Sequence, residues 1–533
     1  MMTMKWKMNE DGRLVATWCE SRRAARDFVN LPEAVTREPM KIGGPPGGAA
    51  RFIAALAAVR SWAKEFCRIQ SLIHAGVPVR LQSSGGTRLT LRRGLRRLNW
   101  AVILACLLVL ACLPLRAQDG REGAASSNDP AWDLHFQSTL IGQGALPFPA
   151  EYSGPNSLEP HGEVKDTFSF DITARVRLWR GGEFFADVLS WQGYGLSKTT
   201  GVAGFPNGEA YRLGKTFPDA IVARAYLRET VSFGGEADPG ADPKAASGGK
   251  RRLILSVGHI PAVDVFDRNA YANDPRTQFM NWAFVNNAAW DYPADALGFT
   301  NGASAQLDLS PWTARVGIFQ DSRMANAIRM DWNLLHAWSL AGELEKRHSF
   351  RGHPGTARLL SYETRAHMGN YQASLSDPQN IYANGQLGYR SKYGFGINLE
   401  QEIGKDLGAF ARLGWSDGKN QTWEFTDVDR TASAGISLKG ETWRRPGDII
   451  GLAAVVNGIS AVHRQFLTNG GVGITVGDGN LHYGREEILE AYYSLALKRG
   501  FTLSPDFQFV ANPAYNRDRG PALIGALRVH WER

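Results

Sequence analysis

Strict alternation of apolar and polar residues is the feature that most limits what this chain can become. Between Thr167 and Trp179, Phe168, Phe170, Ile172, Ala174, Val176 and Leu178 share one parity, while Ser169, Asp171, Thr173, Arg175 and Arg177 share the other. Successive side chains of a β-strand point to opposite faces, so the segment reads as a strand with one greasy wall and one charged wall. The same rhythm returns in Ala303, Ala305, Leu307 and Leu309, in Ala432, Ala434, Ile436 and Leu438, and in Leu523, Leu527, Val529 and Trp531. Further strand segments fall near 134–142, 183–195, 221–232, 251–259, 313–320, 333–345, 357–375, 389–402, 407–416, 448–458, 488–498 and 507–511. Turn signals separate them, among them Gly182, Gly234-Gly235, Asp417-Gly418, Gly470-Gly471 and Asp478-Gly479. Long helical repeats are absent.

About fifteen to seventeen such strands could form a soluble sandwich or propeller, or a membrane barrel. In the first, the apolar face is the core; in the second it meets lipid and the polar face encloses water. The apolar positions are mostly Ala, Val, Leu and Ile, with Trp and Tyr near segment ends, and the chain carries 16 Trp and 15 Tyr. Amphipathic rings at strand ends suit the two headgroup belts of a bilayer. The polar parity is rich in arginine: Arg175, Arg177, Arg224, Arg228, Arg412 and Arg528 are expected to face the lumen. Solvated surface charges on a soluble sheet are the competing reading. A sheet facing lipid leaves no tolerable open edge, so it must close. The fold expected is all-β: a closed antiparallel transmembrane β-barrel of about sixteen strands with inward-folded loops.

Charge is unevenly spread. Lys and Arg number 60 against 52 Asp and Glu; 19 and 7 of these lie in residues 1–117, which leaves 41 basic and 45 acidic residues after Ala117. The mildly acidic remainder argues against a nucleic-acid partner. All four cysteines (Cys19, Cys67, Cys106, Cys112) precede Ala117, which excludes zinc-thiolate sites, disulfides and cysteine nucleophiles beyond it. Residues 88–117 join an arginine cluster (Arg88, Arg92, Arg93, Arg96, Arg97) to the uncharged run Trp100–Leu115 and then Leu115-Arg116-Ala117. That is the pattern of a cleaved secretory signal, too short for the roughly 20 residues of a spanning helix. Residues 1–87 remain an unassigned leader, expected to lie outside the natural protein. Residues 118–166 read as a polar lead-in holding the first strand, and 167–533 as the barrel.

The run from Tyr271 through Asp274, Arg276, Gln278, Asn281 and Trp282, continuing to Asn287, Trp290, Asp291, Tyr292 and Ala294, resembles the OprB-type carbohydrate-selective porins. So do Gly477-Asp478-Gly479, Tyr483, Glu487–Tyr493, Pro505–Gln508 and Asn512-Pro513. The resemblance spans about residues 130–532 and implies an outer-membrane barrel that passes sugars by facilitated diffusion. Such porins usually end on an aromatic residue; here Glu532 and Arg533 follow Trp531.

A sugar offers hydroxyl pairs to planar polar groups and C–H faces to aromatic rings, and a conducting channel must hold it weakly. Asp274, Arg276, Gln278, Asn281, Trp282, Trp290, Asp291 and Tyr292 supply that chemistry on what reads as one inward-folded loop. Their competing role is to hold the loop, with Arg276 paired to Asp274 or Asp291 and the tryptophans packed on the wall. Enzyme chemistry finds little support. His348 and His353 flank a turn without a third metal ligand, and Gly470–Gly473 lacks the ending of a phosphate loop. Glu486 and Glu487 point to opposite sides of a strand, unlike a paired acid and base. No catalytic residue, metal or cofactor is expected. The partners expected are mono- or oligosaccharides and outer-membrane lipid, with monomer and trimer both open. The alternatives are a porin for other small polar or anionic solutes and a secreted carbohydrate-binding β-protein.

Overall fold

The computed structural model describes residues 131–533 except 213, 234–250, 382–386 and 426, and the backbone of three short strands before them. Those are β1 (Met2–Met8), β2 (Leu14–Glu20) and β3 (Arg80–Leu81), which form a small sheet in an N-terminal unit of their own. The secretory segment expected at 88–117 lies outside the described residues.

The second unit is a closed barrel of sixteen strands. In chain order these are β4 (Trp132–Ala145), β5 (Glu163–Trp179), β6 (Gly182–Gly193), β7 (Lys215–Ser232), β8 (Arg251–Ile260), β9 (Thr300–Leu309), β10 (Trp312–Phe319) and β11 (Trp338–Phe350). They continue as β12 (His353–Met368), β13 (Gly388–Glu402), β14 (Leu407–Ser416), β15 (Arg430–Gly440), β16 (Arg445–Gly458), β17 (Glu486–Ala496), β18 (Phe501–Ala511) and β19 (Ala522–Glu532). Every neighbouring pair is antiparallel, and β19 pairs with β4, from Ile524 opposite Ala145 to Glu532 opposite Gln137, so no edge is left open. The first strand of the polar lead-in is thus the piece that closes the ring.

Both faces follow the alternation. On β5, Thr167, Ser169 and Asp171 are buried toward the inside and Leu178 is exposed outside. On β13, Phe395, Ile397 and Leu399 are exposed outward while Lys392 and Asn398 are buried inward. Apolar side chains bared on a closed sheet are costly in water and at home against acyl chains. The outward parity ends in aromatic rings: Trp312, Phe501 and Trp531 at one end, Trp338, Tyr393 and Trp415 at the other. The ends differ. Tight connections such as 180–181, 310–311 and 351–352 join strands at one end, and 194–214, 261–299, 369–387 and 459–485 at the other.

The strand boundaries moved where turn residues were weak signals. The segment expected at 333–345 begins at Trp338, because 320–337 is a loop, and the one at 357–375 divides into β12 and loop 369–387. The inner wall is also less polar than alternation alone suggests. Ile141, Leu189, Trp191, Leu360, Ile488, Val510 and Ile524 point inward and are buried, because the long loops fold into the lumen and pack on them.

A charge placed on the outward wall should cost far more than one placed inside. Ile397→Arg is expected to destabilise the barrel by about 2–4 kcal/mol if it sits near the bilayer midplane. Thr173→Arg, on the inward parity of β5, should cost under half as much. Urea unfolding of both variants in lipid vesicles checks the difference.

Candidate functional site

Loop 261–299 carries the motif residues, and the inner wall decides where it lies. It contains one short helix, α1 (Trp282–Val285), capped by Asn281, whose side chain accepts the Ala283 N–H. Most of its peptide groups must find partners elsewhere, since a buried unpaired peptide group is expensive. Six strands supply them. Glu490 accepts the Met280 and Asn281 N–H groups at 2.5 and 2.9 Å, and Glu343 accepts that of Asp267 at 2.7 Å. Asn398 donates to the Asp267 carbonyl at 3.0 Å and Tyr362 on β12 to the Ala289 carbonyl at 2.6 Å, while Gln508 accepts from the Asn281 side chain at 3.0 Å.

Two of the expected lumen arginines are clamps in this set. Arg412 is fully buried and donates to the carbonyls of Phe284 (2.6 Å), Asp267 (3.1 Å) and Ala272 (2.8 Å), with the Asp267 carboxylate 3.4 Å away. Arg528 donates to the carbonyls of Pro275 and Gln278, both at 2.7 Å. Glycines make the room. A Cβ on Gly396 or Gly414 would lie 2.3 or 2.0 Å from the Asn287 amide, and one on Gly408 would lie 2.0 Å from the Tyr271 ring. All three share the inward parity of β13 and β14, so a side chain on any of them would push the loop off the wall.

With the loop held on the β11–β19 side, a cavity of about 340 Å³ is left against β4–β7. Gln137, Asp171, Leu189 and Arg224 line it from the wall; Asp274, Arg276, Trp282 and Tyr292 line it from the loop. Arg276 pairs with Asp171 and, at 2.9 Å, with Glu209. The ion pairs of its guanidinium are therefore with neither Asp274 nor Asp291. Burial works against its charge, but Glu209 and Asp171 hold the guanidinium protonated well above its ordinary range. Arg224 bridges Asp187 at 2.5 Å and Asp264 at 2.6 Å. Burial would lift the Asp264 carboxyl, yet the Arg224 guanidinium prevails and holds it below the usual carboxylate range. In all, four arginines (Arg212, Arg224, Arg268, Arg276) face four carboxylates (Asp171, Glu209, Asp264, Asp274) around the cavity. Beside them runs an aromatic rim: Trp282 stacks on Phe205 at 5.1 Å, and Tyr292 stacks on Phe425 at 4.8 Å.

The other expected site residues hold the loop. Gln278 accepts the N–H groups of Asn273 and Asp274 and donates to the Ala270 carbonyl. Trp290 is buried against Phe266 and Tyr362. Asp291 pairs with Lys392 at 3.1 Å and accepts the N–H groups of Trp423 and Glu424, both at 2.8 Å. Asp274 takes the Arg276 backbone N–H at 2.9 Å. Toward the short-turn end, Arg175 pairs with Glu183 at 3.0 Å, Arg228 covers Phe185 at 4.5 Å, and Arg177 shares their parity. Sequence reasoning missed Glu209, Asp264, Phe205 and Phe425, which come from loops without alternation to place them; Asp187 was readable from its parity on β6. Glu486 is buried and accepts three backbone N–H groups from loops, while Glu487 faces out.

Behind this wall the Asp321 and Glu424 carboxyls are buried with no ion-pair partner among the described residues. Burial, with Asp291 and Asp331 nearby, pushes the Asp321 carboxyl well up; burial, with Asp321 and Asp291 nearby, does the same to Glu424. They sit where loops 320–337 and 417–429 meet, tied by Trp423 to the Ser322 carbonyl at 3.0 Å.

The sequence profile described as carbohydrate-selective porin, OprB family, matches residues 155–532. Porin AaxA of Chlamydia muridarum is 23% identical over 292 residues, covering 52% of each chain. Porin AaxA of Chlamydia trachomatis serovar D is 22% identical over 284 residues, again 52% of each. The matched stretch is thus about half the length of these relatives. The high-pH structure of OprB from Pseudomonas putida superposes with a TM-score of 0.58 at 16% identity, covering 76% of this chain and 94% of that one.

Two outcomes are expected. Arg412→Met removes three charge-assisted bonds and leaves Asp267 uncompensated, a cost of about 3–5 kcal/mol; amides of 267–287 should lose hydrogen-exchange protection while the strands keep theirs. Raised carboxyls give the opposite pH trend from ordinary ion pairs. The folded junction keeps a proton that the open one releases above about pH 4, so its stability is greatest below that value and falls as pH rises toward the folded-state value. Asp321→Asn should flatten that decline, read by near-UV circular dichroism melts at about pH 5 and about pH 8.

Proposed function

The chain belongs to the OprB family of carbohydrate-selective porins, and from that premise we propose that it is an outer-membrane channel whose cargo is neutral sugar moving by facilitated diffusion. The observation that carries this reading is the cavity's paired charge beside an aromatic rim. An arginine ladder without carboxylates would draw anions into the pore. Here Arg276 and Arg224 each stand against two carboxylates, so the local field is strong and short-ranged while the net charge around the cavity balances. Such a lining exchanges hydrogen bonds with hydroxyl pairs without preferring a charged cargo.

Asp274, Arg276, Trp282 and Tyr292, with Arg224 from the wall, are the residues we assign to contact. The guanidinium and carboxylate edges meet hydroxyls, and Trp282 and Tyr292 offer faces to the C–H side of the ring. Gln278, Asn281, Trp290 and Asp291 act earlier in the chain of causes, by fixing the loop that presents those groups. Arg175, Arg177 and Arg228 lie along the exit toward the short turns. None of the sugar contacts needs to be tight, because a site that retains its cargo does not conduct.

Liposome swelling separates the cargoes. Glucose should enter fastest, sucrose more slowly, and phosphate slower than either sugar; phosphate outrunning glucose would reassign the channel to anions. Arg276→Ala should change glucose entry several-fold while heat-modifiable gel migration shows an intact barrel. Unchanged entry would remove Arg276 from the site.

A further inference from the structure

Loop 320–337 exposes apolar residues although it is firmly built. Trp332 is 75% exposed and Leu335 86%, and Met324, Ile328 and Leu334 are each more than half exposed. The segment is pinned on both sides. Ser322 bridges Met330, the Arg323 N–H donates to the Arg329 carbonyl at 2.7 Å, and Asp331 donates to the Asp321 carbonyl at 2.8 Å. Its fixed geometry, rather than slack chain, therefore holds the apolar side chains out. A patch of this kind on a folded surface signals something that covers it.

Its position identifies the cover. The loop straddles the rim. Ser322 and Asn326 are bonded to Trp423 and Glu424 inside, while Asn333 and Asp331 are bonded to the Tyr389 hydroxyl at 3.3 and 3.1 Å. Tyr389 shares the outward parity of Tyr393, Phe395 and Ile397, so residues 331–336 lie over the outer side of the barrel. Directly below, Ile318 at one end of the loop and Leu340, one outward step past Trp338, at the other border an outer hollow of about 750 Å³. That hollow runs across Val257, Ala303, Ala305 and Val316 and is almost wholly apolar. The exposed loop is thus continuous with the wall that already faces acyl chains. Basic groups edge it: Arg323 and Arg329 on the loop are exposed, and Arg365 on the outward parity of β12 stands opposite Trp338. Acidic groups share the outer face as well: Glu363 one pair lower, opposite Leu340, and Glu229 at the far side of the hollow, where it accepts from Trp179. Apolar side chains rimmed by arginine match the boundary between acyl chains and phosphate headgroups.

We propose that loop 320–337 is a lipid-embedded collar. Trp332, Leu334 and Leu335 enter the outer leaflet at headgroup depth, and the hollow beneath seats an acyl chain of a phosphate-bearing lipid. The collar would fix the height of β10 and β11 in the membrane and hold the outer end of the loop whose inner end braces the channel.

The test labels one position with an environment-sensitive thiol dye. The cysteines at 19, 67, 106 and 112 are replaced by serine, and the dye is placed at Leu335→Cys or, for comparison, at Gln465→Cys on the exposed face of helix α2 (Ala461–Thr468). Both variants are checked for heat-modifiable migration and reconstituted in phosphatidylethanolamine–phosphatidylglycerol vesicles. Nitroxides carried on the lipid near the headgroup should quench the dye at 335, and aqueous iodide should quench it several-fold less than at 465. Equal iodide quenching at both positions would overturn the proposal. Protection at 335 that disappears on dilution in lipid, together with energy transfer between labelled copies, would assign the patch to a second copy and overturn it too. Should Leu335→Cys fail to fold, Leu334→Cys carries the same readout. In a second arm, Arg323→Gln with Arg329→Gln should lower retention of phosphatidylglycerol relative to phosphatidylethanolamine during purification; unchanged retention would remove the headgroup from the proposal.

Discussion

A loop of irregular backbone inside a barrel must have its peptide groups answered, and here the inner wall answers them. Arg412 alone satisfies three carbonyls of loop 261–299, and Glu490, Glu343, Tyr362, Asn398 and Arg528 answer other peptide groups. Each is an ordinary polar residue on the inward parity of a strand. Because these bonds are shielded from water, losing one partner leaves a buried polar group exposed to the full cost of desolvation. The loop is therefore fixed by the wall, and the wall's polarity is largely spent on the loop rather than on the solute.

That allocation explains where the passage lies. Clamps and inward glycines gather on β11–β19, and the apolar residues Phe279, Phe284 and Ala288 pack there with Phe410, Ile488 and Tyr492. Among the described residues the opposite arc, β4–β7, makes fewer bonds to that loop's backbone and borders the open space. There Asp171 and Arg224 line the cavity while paired to Arg276 and Asp264 of the loop. One molecule thus uses two chemically similar arcs for different ends, one for anchoring and one for lining.

The fold was legible in the sequence because period two is a direct imprint of strand geometry, and parity told which face each residue takes. Phe170 out and Asp171 in needed no tertiary information. The site was legible only in outline. The motif drew attention to one loop, and Arg276, Trp282 and Tyr292 of that loop line the cavity, but nothing in spacing could tell Arg276 that its partners sit on β5 and in loop 194–214. Parity puts Leu189 and Trp191 on the same side as Asp187, but it could not reveal why apolar residues belong there, since their burial depends on a loop packing over them. Gly396, Gly408 and Gly414 were a missed signal. A glycine on the inward parity of a strand marks a close approach from within, and three of them on β13 and β14 mark where the loop lies.

Under the proposed sugar cargo, pairing the charges around the cavity also bears on throughput. A lone buried arginine would bind an anion tightly and release it slowly, whereas a guanidinium already engaged by two carboxylates offers a solute only its remaining donors. Exchanging water for a sugar hydroxyl at such a group is close to balanced, since the net worth of one hydrogen bond is about 1 kcal/mol. For the proposed sugar cargo, a few such contacts with one stacked face would give recognition without retention. The same ion pairs keep Asp171 and Glu209 compensated when no solute is present, so the lining does not have to collapse between passages.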